Sequence, residues 1–251
     1  MPVRILECDP ELGLRLPVSK IGAAQALLTA ETASFEHGLW AVPEDFADRG
    51  GMGCLILDGL LARELVLAGT TAAELLGEGD LVQPQAASLD DSLVSYHVQW
   101  HVLEPLTVAF LDETFSRKLS DWPQVTDCLL DRALRRTHRL AVHQALLQLS
   151  PVETRLLVLF WHLAERWGRV SPKGIVLQLR LSHEMLGHLV GCQRASVTTA
   201  LARVCESGRI ARRDEGTWLL HGSPPGELSH VHWQERHPAP ATARIRGASR
   251  V

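Results

Sequence analysis

The chain has 251 residues, of which 46% are hydrophobic and 22% are charged, and its formal net charge is −4. This length and composition allow a real hydrophobic core and are typical of soluble globular proteins with one large domain or two smaller ones. No apolar run approaches the roughly 18 residues that a membrane span requires, and the N-terminus lacks a basic start followed by an apolar stretch. We therefore expect a cytoplasmic protein without membrane contact.

Charge is distributed unevenly along the sequence. Residues 1–120 contain 18 acidic and 7 basic residues, a net charge of −11, whereas residues 151–222 contain 6 acidic and 10 basic residues, a net charge of +4. Only the C-terminal part therefore has the charge to bind a polyanion such as nucleic acid, although a basic surface can also simply face solvent. The five cysteines are odd in number and scattered, which argues against a disulfide framework and against zinc or iron–sulfur ligation.

Short apolar runs broken by glycine and acidic turns fill the region from about residue 36 to 111. This pattern predicts strands joined by tight connections, with turns at Asp58-Gly59 and at 77–80, where glycine can adopt a positive φ. The clearest predicted strands are Cys54–Leu57, Leu60–Leu67, Thr71–Leu76, Tyr96–Val102 and Leu106–Leu111. Together they indicate a small antiparallel barrel or roll.

One long helix is predicted between Pro123 and Ser150, because the segment has no internal glycine or proline and Pro123 suits a first turn. Its apolar residues cover more than one stripe at 3.6 residues per turn. One stripe can cover the roll while another meets a second subunit, and burial within a single domain is the alternative. A solvated face is expected for four arginines: Arg132, Arg135, Arg136 and Arg139.

A second, strongly apolar helix is expected to start at Ser150-Pro151, with serine at the cap and proline at the first position, and to run to about Trp167. The following stretch Ile175–Leu181 alternates as a strand does. We interpret the helix as part of a hydrophobic core.

Two short helices follow, over about residues 182–190 and 193–207. Ser182 is the predicted cap of the first, Gly191 is its predicted end, and Gly187 is small enough for a close approach by the second helix. In the second helix Val197, Leu201 and Val204 share one face. Its polar positions are Gln193, Arg194, Ser196, Thr198, Thr199 and Arg203.

The start of this second helix has the chemistry that base recognition in DNA requires. An arginine such as Arg194 can form paired hydrogen bonds to guanine, short hydroxyls can contact phosphate or thymine methyl groups, and the helix N-terminus adds N–H groups for phosphate. Two short strands, Ile210–Asp214 and Thr217–Leu220, then read as a hairpin that places Arg212 and Arg213 near a DNA backbone. The alternative is an ordinary αα-hairpin within a helical core.

The sequence resembles the cyclic-AMP receptor protein and fumarate–nitrate regulator (Crp/Fnr) superfamily of transcription regulators over nearly its whole length. The matching segments are CLILDGLLARELV, LLGEGDLV, the long helix, LSHEMLGHLVGCQRASVTTALARVCESGRI and GTWLLHG. The resemblance implies an α+β fold with an N-terminal antiparallel β-roll (1–120), a long dimerisation helix (121–150), a C-terminal winged helix-turn-helix (151–222) and a flexible tail (223–251). Two recognition helices would face a palindromic site about 34–36 Å apart.

The resemblance also assigns roles to residues. Arg194 matches the guanine-reading arginine, and Ser182, His183 and Glu184 match the start of the supporting helix, which usually contacts phosphate. Departures occur at Ala195, where glutamate is common, and at Thr199, where an arginine is common, so we expect a changed half-site. The dimer helix would use Val125, Leu129, Ala133, Leu140, Ala141 and Leu147. Double-stranded DNA, a second copy and RNA polymerase are the implied partners.

Cyclic AMP fits the sequence poorly as an effector. No arginine stands between Arg63 and Arg117 to bind its phosphate, while Asp90 and Asp91 would repel an anion. The helix positions that usually present hydroxyls to the base correspond to Leu140 and Ala141. We therefore predict no cofactor. Enzymatic activity is not expected either, because the glycine-rich stretch 50–53 matches neither a phosphate loop nor a dinucleotide fingerprint and no serine, histidine and acid have a known catalytic spacing. A small-molecule or redox sensor that binds DNA secondarily is the alternative function.

Overall fold

The computed structural model describes residues 2–42, 50–84 and 94–225. The predicted anion-repelling pair at 90–91 and nearly all of the predicted flexible tail lie outside the described residues. The chain divides into two compact units, Met1–Leu149 with Ser182–Val197, and Ser150–Leu181 with Thr198–Val251.

The first unit contains an antiparallel sheet in the order β1-β2-β7-β4-β5, with β3 paired to β7 and β6 paired to β4. Its strands are β1 (Pro2–Arg4), β2 (Thr29–Phe35), β3 (Gly38–Leu39), β4 (Gly53–Leu67), β5 (Thr70–Gly77), β6 (Leu81–Val82) and β7 (His97–Leu111). Its helices are α1 (Ile5–Cys8), a 3-10 helix (Pro10–Gly13), α2 (Val18–Leu27), α3 (Glu113–Leu119), α4 (Pro123–Leu146) and α6 (His183–Val190). The expected combination of helices with antiparallel sheets is confirmed.

The two longest strands differ from the prediction in the same place. Asp58-Gly59 was expected to be a turn, yet β4 continues through it, with register shifts against β7 on both sides of Asp58. Gly59 has φ 97°, and a Cβ there would lie 2.2 Å from the Pro105 carbonyl oxygen. The glycine is therefore required by a β-bulge opposite a proline, which extends the paired strands instead of ending them.

Hydrophobic residues on one face of this sheet form a core that includes Trp40, Trp100 and Val102. A second cluster joins the N-terminal helices to the start of α4, through residues such as Ile5, Leu12 and Leu129. The N-terminal helices had no prediction from the sequence, because their apolar residues follow no regular period.

Helix α4 begins at Pro123, as predicted, and ends at Leu146. Its arginines correct the prediction of a solvated face. Arg132 is buried, and its guanidinium donates to both carboxylate oxygens of Asp9, in one case over 2.7 Å. Burial alone would lower the pKa of Arg132, but the hydrogen bond and charge of Asp9 outweigh it and the pKa lies above its usual value.

The next turns of α4 repeat this arrangement. Arg136 donates from Nε and Nη2 to the two carboxylate oxygens of Glu74, over 2.7 and 2.8 Å. Arg139 donates to Asp80 over 2.6 Å. These arginines face the roll because its acidic residues pair with them, while Arg135 is exposed as predicted.

The opposite side of α4 carries exposed apolar residues. Leu130 and Leu134 are 56% and 59% exposed, and Ala133, Leu140 and Ala141 are also exposed. Of the predicted dimer-helix residues, Leu147 is half-buried. Val125 and Leu129 are instead fully buried in the core of their own chain. The prediction that these last two residues contact a second subunit is therefore wrong. Helical periodicity alone cannot tell which apolar stripe is covered by the helix's own domain.

The second unit combines α5 (Val152–Trp167) with an antiparallel sheet in the order β10-β11-β9-β8. Helix α7 (Arg194–Glu206) begins in the first unit and ends in this one. The strands are β8 (Gly168–Ser171), β9 (Gly174–Leu177), β10 (Ile210–Arg212) and β11 (Trp218–Leu220). Helix α5 is a core helix, as expected, but Pro151 occupies its N-cap in place of Ser150.

Among the described residues, none of the helices combines the length and hydropathy needed to cross a bilayer.

Candidate nucleic-acid interface

Helix α6 has the predicted start and end. Ser182 is its N-cap, and its Oγ accepts a hydrogen bond of 3.1 Å from the Met185 N–H. Gly191 ends the helix in the left-handed conformation, with φ 66°. Gly187 is required by a close approach, because a Cβ there would lie 2.6 Å from the Cys192 carbonyl oxygen. The tight turn between α6 and α7 therefore depends on two glycines.

Helix α7 is buried along one side and exposed along the other. Val197, Leu201 and Val204 are at most 4% exposed, as their spacing predicted. The first turn faces outward, with exposed residues Gln193, Arg194, Ala195 and Ser196, followed by exposed Thr198 and Thr199. The side chains with the chemistry for base recognition thus project from an anchored helix end.

Arg203, near the end of α7, lies in an ion pair. Its Nη1 donates to Glu153 Oε1 over 2.7 Å, with the arginine side chain 67% exposed. The Glu153 carboxylate accepts from its own backbone N–H and from Arg203, and both contacts lower its pKa. This pairing orients Arg203 toward the start of α5.

The β10–β11 hairpin carries the remaining predicted contacts. Arg212 and Arg213 are exposed. The Arg213 N–H donates to the Thr217 carbonyl oxygen, and the Gly216 N–H, at φ 79°, donates to the Arg213 carbonyl oxygen, which closes the hairpin. The Arg212 guanidinium lies 5.6 Å from the centre of the Trp218 ring. Trp218 is buried and packs 4.9 Å from the Phe160 ring of α5. The hairpin therefore presents two cationic side chains from a rigid base.

A contact between α6 and the roll had no prediction from the sequence. His188 Nδ1 lies 2.6 Å from Glu64 Oε1 in β4, and the two residues are separated by 124 positions in the chain. His101 Nδ1 lies 2.9 Å from the other Glu64 oxygen, without hydrogen-bond alignment. From the sequence alone, a glutamate on an alternating strand is expected to face solvent. The residues around Glu64 in the sequence do not indicate a partner so far along the chain.

No family model matches the chain. A curated relative is the "Regulatory protein CysR" of Synechococcus elongatus, which is 32% identical over 106 residues, or 40% of this chain. The chain spans about half the length of this relative.

Solved structures with the same fold cover most of the chain. A cyclic nucleotide-binding domain containing protein from Listeria monocytogenes has a TM-score of 0.61 at 15% identity, with 84% of this chain and 96% of that chain covered. A CooA variant from Carboxydothermus hydrogenoformans has a TM-score of 0.58 at 18% identity, covering 76% and 83%. A CRP-family transcriptional regulator from Thermus thermophilus has a TM-score of 0.57 at 18% identity, covering 76% and 92%. The chain thus has the fold of Crp/Fnr regulators, and the resemblance predicted from its sequence is confirmed.

Proposed function

We propose that this protein is a sequence-specific, DNA-binding transcriptional regulator that acts as a homodimer on a palindromic site. The observation that carries the proposal is the exposed first turn of α7, where Arg194 and Ser196 face outward while Val197 is fully buried. An arginine held at such a helix end can reach the O6 and N7 atoms of guanine in a major groove. Exposed Arg212 and Arg213 on the hairpin supply cations for phosphate contacts.

The exposed stripe of α4 supports the homodimer. Leu130 and Leu134 lie one turn apart and are more than half exposed, and small Ala133 and Ala141 would allow a second helix to approach closely. Two copies of α4 packed along this stripe would bury leucines that otherwise meet water. We therefore place the dimer face at Leu130, Ala133, Leu134, Leu140 and Ala141.

Independence from cyclic AMP is proposed from the contacts between α4 and the roll. Both carboxylate oxygens of Glu74 are bound by Arg136, and Asp80 is bound by Arg139. The roll thus supplies its own anions to these arginines, and Leu140 and Ala141 offer no hydroxyl to a nucleotide base. Helix α4 is held on the roll by side chains of the protein itself.

Substitution of Arg194 by alanine tests the proposed recognition residue. Loss of a bidentate guanine contact should cost about 1–3 kcal/mol and relax the choice of base at one position of each half-site. Duplexes enriched by random-site selection, titrated in a fluorescence-anisotropy experiment, measure both effects.

A matched control is Arg117→Ala, which removes the same charge from an exposed position of α3, where Arg117 lies near Glu113 of its own helix. It should leave affinity and selectivity nearly unchanged. Arg212→Ala should weaken binding to every sequence alike and reduce the salt dependence, as expected for a phosphate contact. Equal affinity and selectivity of Arg194→Ala and the unmodified protein would refute the proposed function.

Leu134→Glu tests the proposed dimer face. A carboxylate at this exposed position would have to be buried without a partner when two α4 helices pack, so the dimer should dissociate at micromolar concentration. Sedimentation velocity measures the change, and Leu27→Glu on α2, where the native leucine is 53% exposed, is the control. Dimers that persist with Leu134→Glu would show that this stripe is not the subunit interface.

A further inference from the structure

Helix α6 lies against the outer face of the β-roll within the first unit. Strand residues alternate between two faces, and Trp100 and Val102 of β7 point into the core, so Gln99 and His101 point the other way. Glu64 of β4 pairs in register with Gln99 and shares this outer face. The side of the sheet that carries α6 is therefore opposite to the hydrophobic core.

Glu64 is the anchor of this contact. It is only 6% exposed, and its two carboxylate oxygens lie 2.6 Å from His188 Nδ1 of α6 and 2.9 Å from His101 Nδ1 of β7. A buried carboxylate without a hydrogen-bonding partner is costly. Docking of α6 supplies the closer of its two partners, so the contact favours the docked position of the helix.

The start of α6 is exposed, and on the side that faces the roll it borders a cleft with two acidic side chains. Ser182, Glu184 and His188 of the helix region line a cleft of about 360 Å³ together with Glu64 and His101 of the roll. Ser182 and Glu184 belong to the segment proposed to meet a DNA phosphate. A phosphate that approaches Ser182 here would enter a cleft bordered by the carboxylates of Glu64 and Glu184, which repel it. Docking on the roll and phosphate contact by this end of α6 thus compete.

We propose that the outer face of the roll is an inhibitory docking surface for helix α6 of the same chain, closed by the Glu64–His188 contact. Release of α6 from this surface frees the start of the helix for DNA phosphate and raises DNA affinity. This inference rests on the proposed DNA-binding function and assigns a regulatory role to residues that do not themselves read bases.

Two substitutions of the contact test the proposal through DNA affinity. His188→Leu removes the donor and leaves Glu64 buried without its closer partner, and Glu64→Gln removes the acceptor charge. Each should tighten binding to the selected duplex by about tenfold, since a charge-assisted hydrogen bond holds the docked state. Circular dichroism checks that each variant is folded.

The histidine variant separates docking from general electrostatics. If His188 affected DNA binding only through its charge, His188→Leu would weaken binding, because it removes a basic side chain. If the substitution releases the docked helix, binding becomes tighter. Glu113→Gln, which removes one carboxylate from an exposed position of α3, is the matched control for Glu64→Gln and should give a much smaller change. The double variant should bind no tighter than the stronger single variant, because both changes break one contact.

Unchanged or weaker DNA binding by folded His188→Leu would overturn the docking proposal. The proposed function would survive that result if Arg194→Ala still lost affinity and selectivity. When Arg194→Ala binds as well as the unmodified protein, the DNA-binding proposal itself fails, so the two failures are distinguishable.

Discussion

Replacing Arg132 with leucine should lower the free energy of unfolding by about 3–5 kcal/mol, because it leaves the carboxylate of Asp9 buried without its partner. Both side chains are only 9% exposed. The same guanidinium also lies 3.5 Å from the Gly79 carbonyl oxygen, so one substitution removes contacts with both the N-terminal segment and a turn of the roll. Urea denaturation measured by circular dichroism gives the free energy.

Arg135→Leu is the control, since Arg135 stands on the same helix but is exposed. Its substitution should change the free energy of unfolding by no more than about 0.5 kcal/mol. The double variant Asp9→Leu with Arg132→Leu should recover much of the loss, because a buried ion pair replaced by apolar residues is often close to neutral. A cost for Arg132→Leu equal to that for Arg135→Leu would show that the Asp9 contact does not stabilise the packing of α4 on the N-terminal segment.

For α4, the sequence predicted the bounds of the helix but not the ion-pair partners of its arginines. Helix length and start were predictable, because proline marks the first turn and no breaker follows until the end. The partners of Arg132 and Arg136 were not, because Asp9 and Glu74 are 123 and 62 residues away in the chain. Arginine is usually exposed, and only tertiary structure reveals which ones a buried acid holds.

The wrong prediction of a turn at Asp58-Gly59 has a similar cause. Asp-Gly is a strong local signal for a hairpin turn, but a β-bulge also needs a glycine with positive φ. Proline within a strand is common at a bulge, so Pro105, opposite Gly59, was the residue that favoured a bulge over a turn. By contrast, the α6–turn–α7 segment was predicted closely, since its cap at Ser182, its end at Gly191 and the apolar spacing of α7 are all local features. The contact of Glu64 with His188 forms only when two distant segments fold together, so no local sequence pattern predicts it.

Trp218→Ala should destabilise the second unit by about 3–5 kcal/mol, since it removes a large, almost fully buried side chain and leaves a cavity beside Phe160. Trp218 is also the surface beneath the Arg212 guanidinium. Loss of the ring therefore removes the support of a proposed phosphate-contacting side chain together with the packing of β11 on α5. Thermal unfolding and the salt dependence of DNA affinity measure the two effects.

Trp218→Phe separates the two roles of the ring. Phenylalanine keeps an aromatic face for Phe160 and Arg212, and it removes the Trp218 Nε1–H, which is buried and has no acceptor among the described residues. The lost volume costs stability, but removal of an unpaired donor offsets part of that cost, so the loss should be well below that of the alanine variant and the salt slope should be retained. If both variants unfold alike, aromatic contact with Phe160 contributes little, and the hairpin is held by the backbone pairing of β11 with β9 and β10.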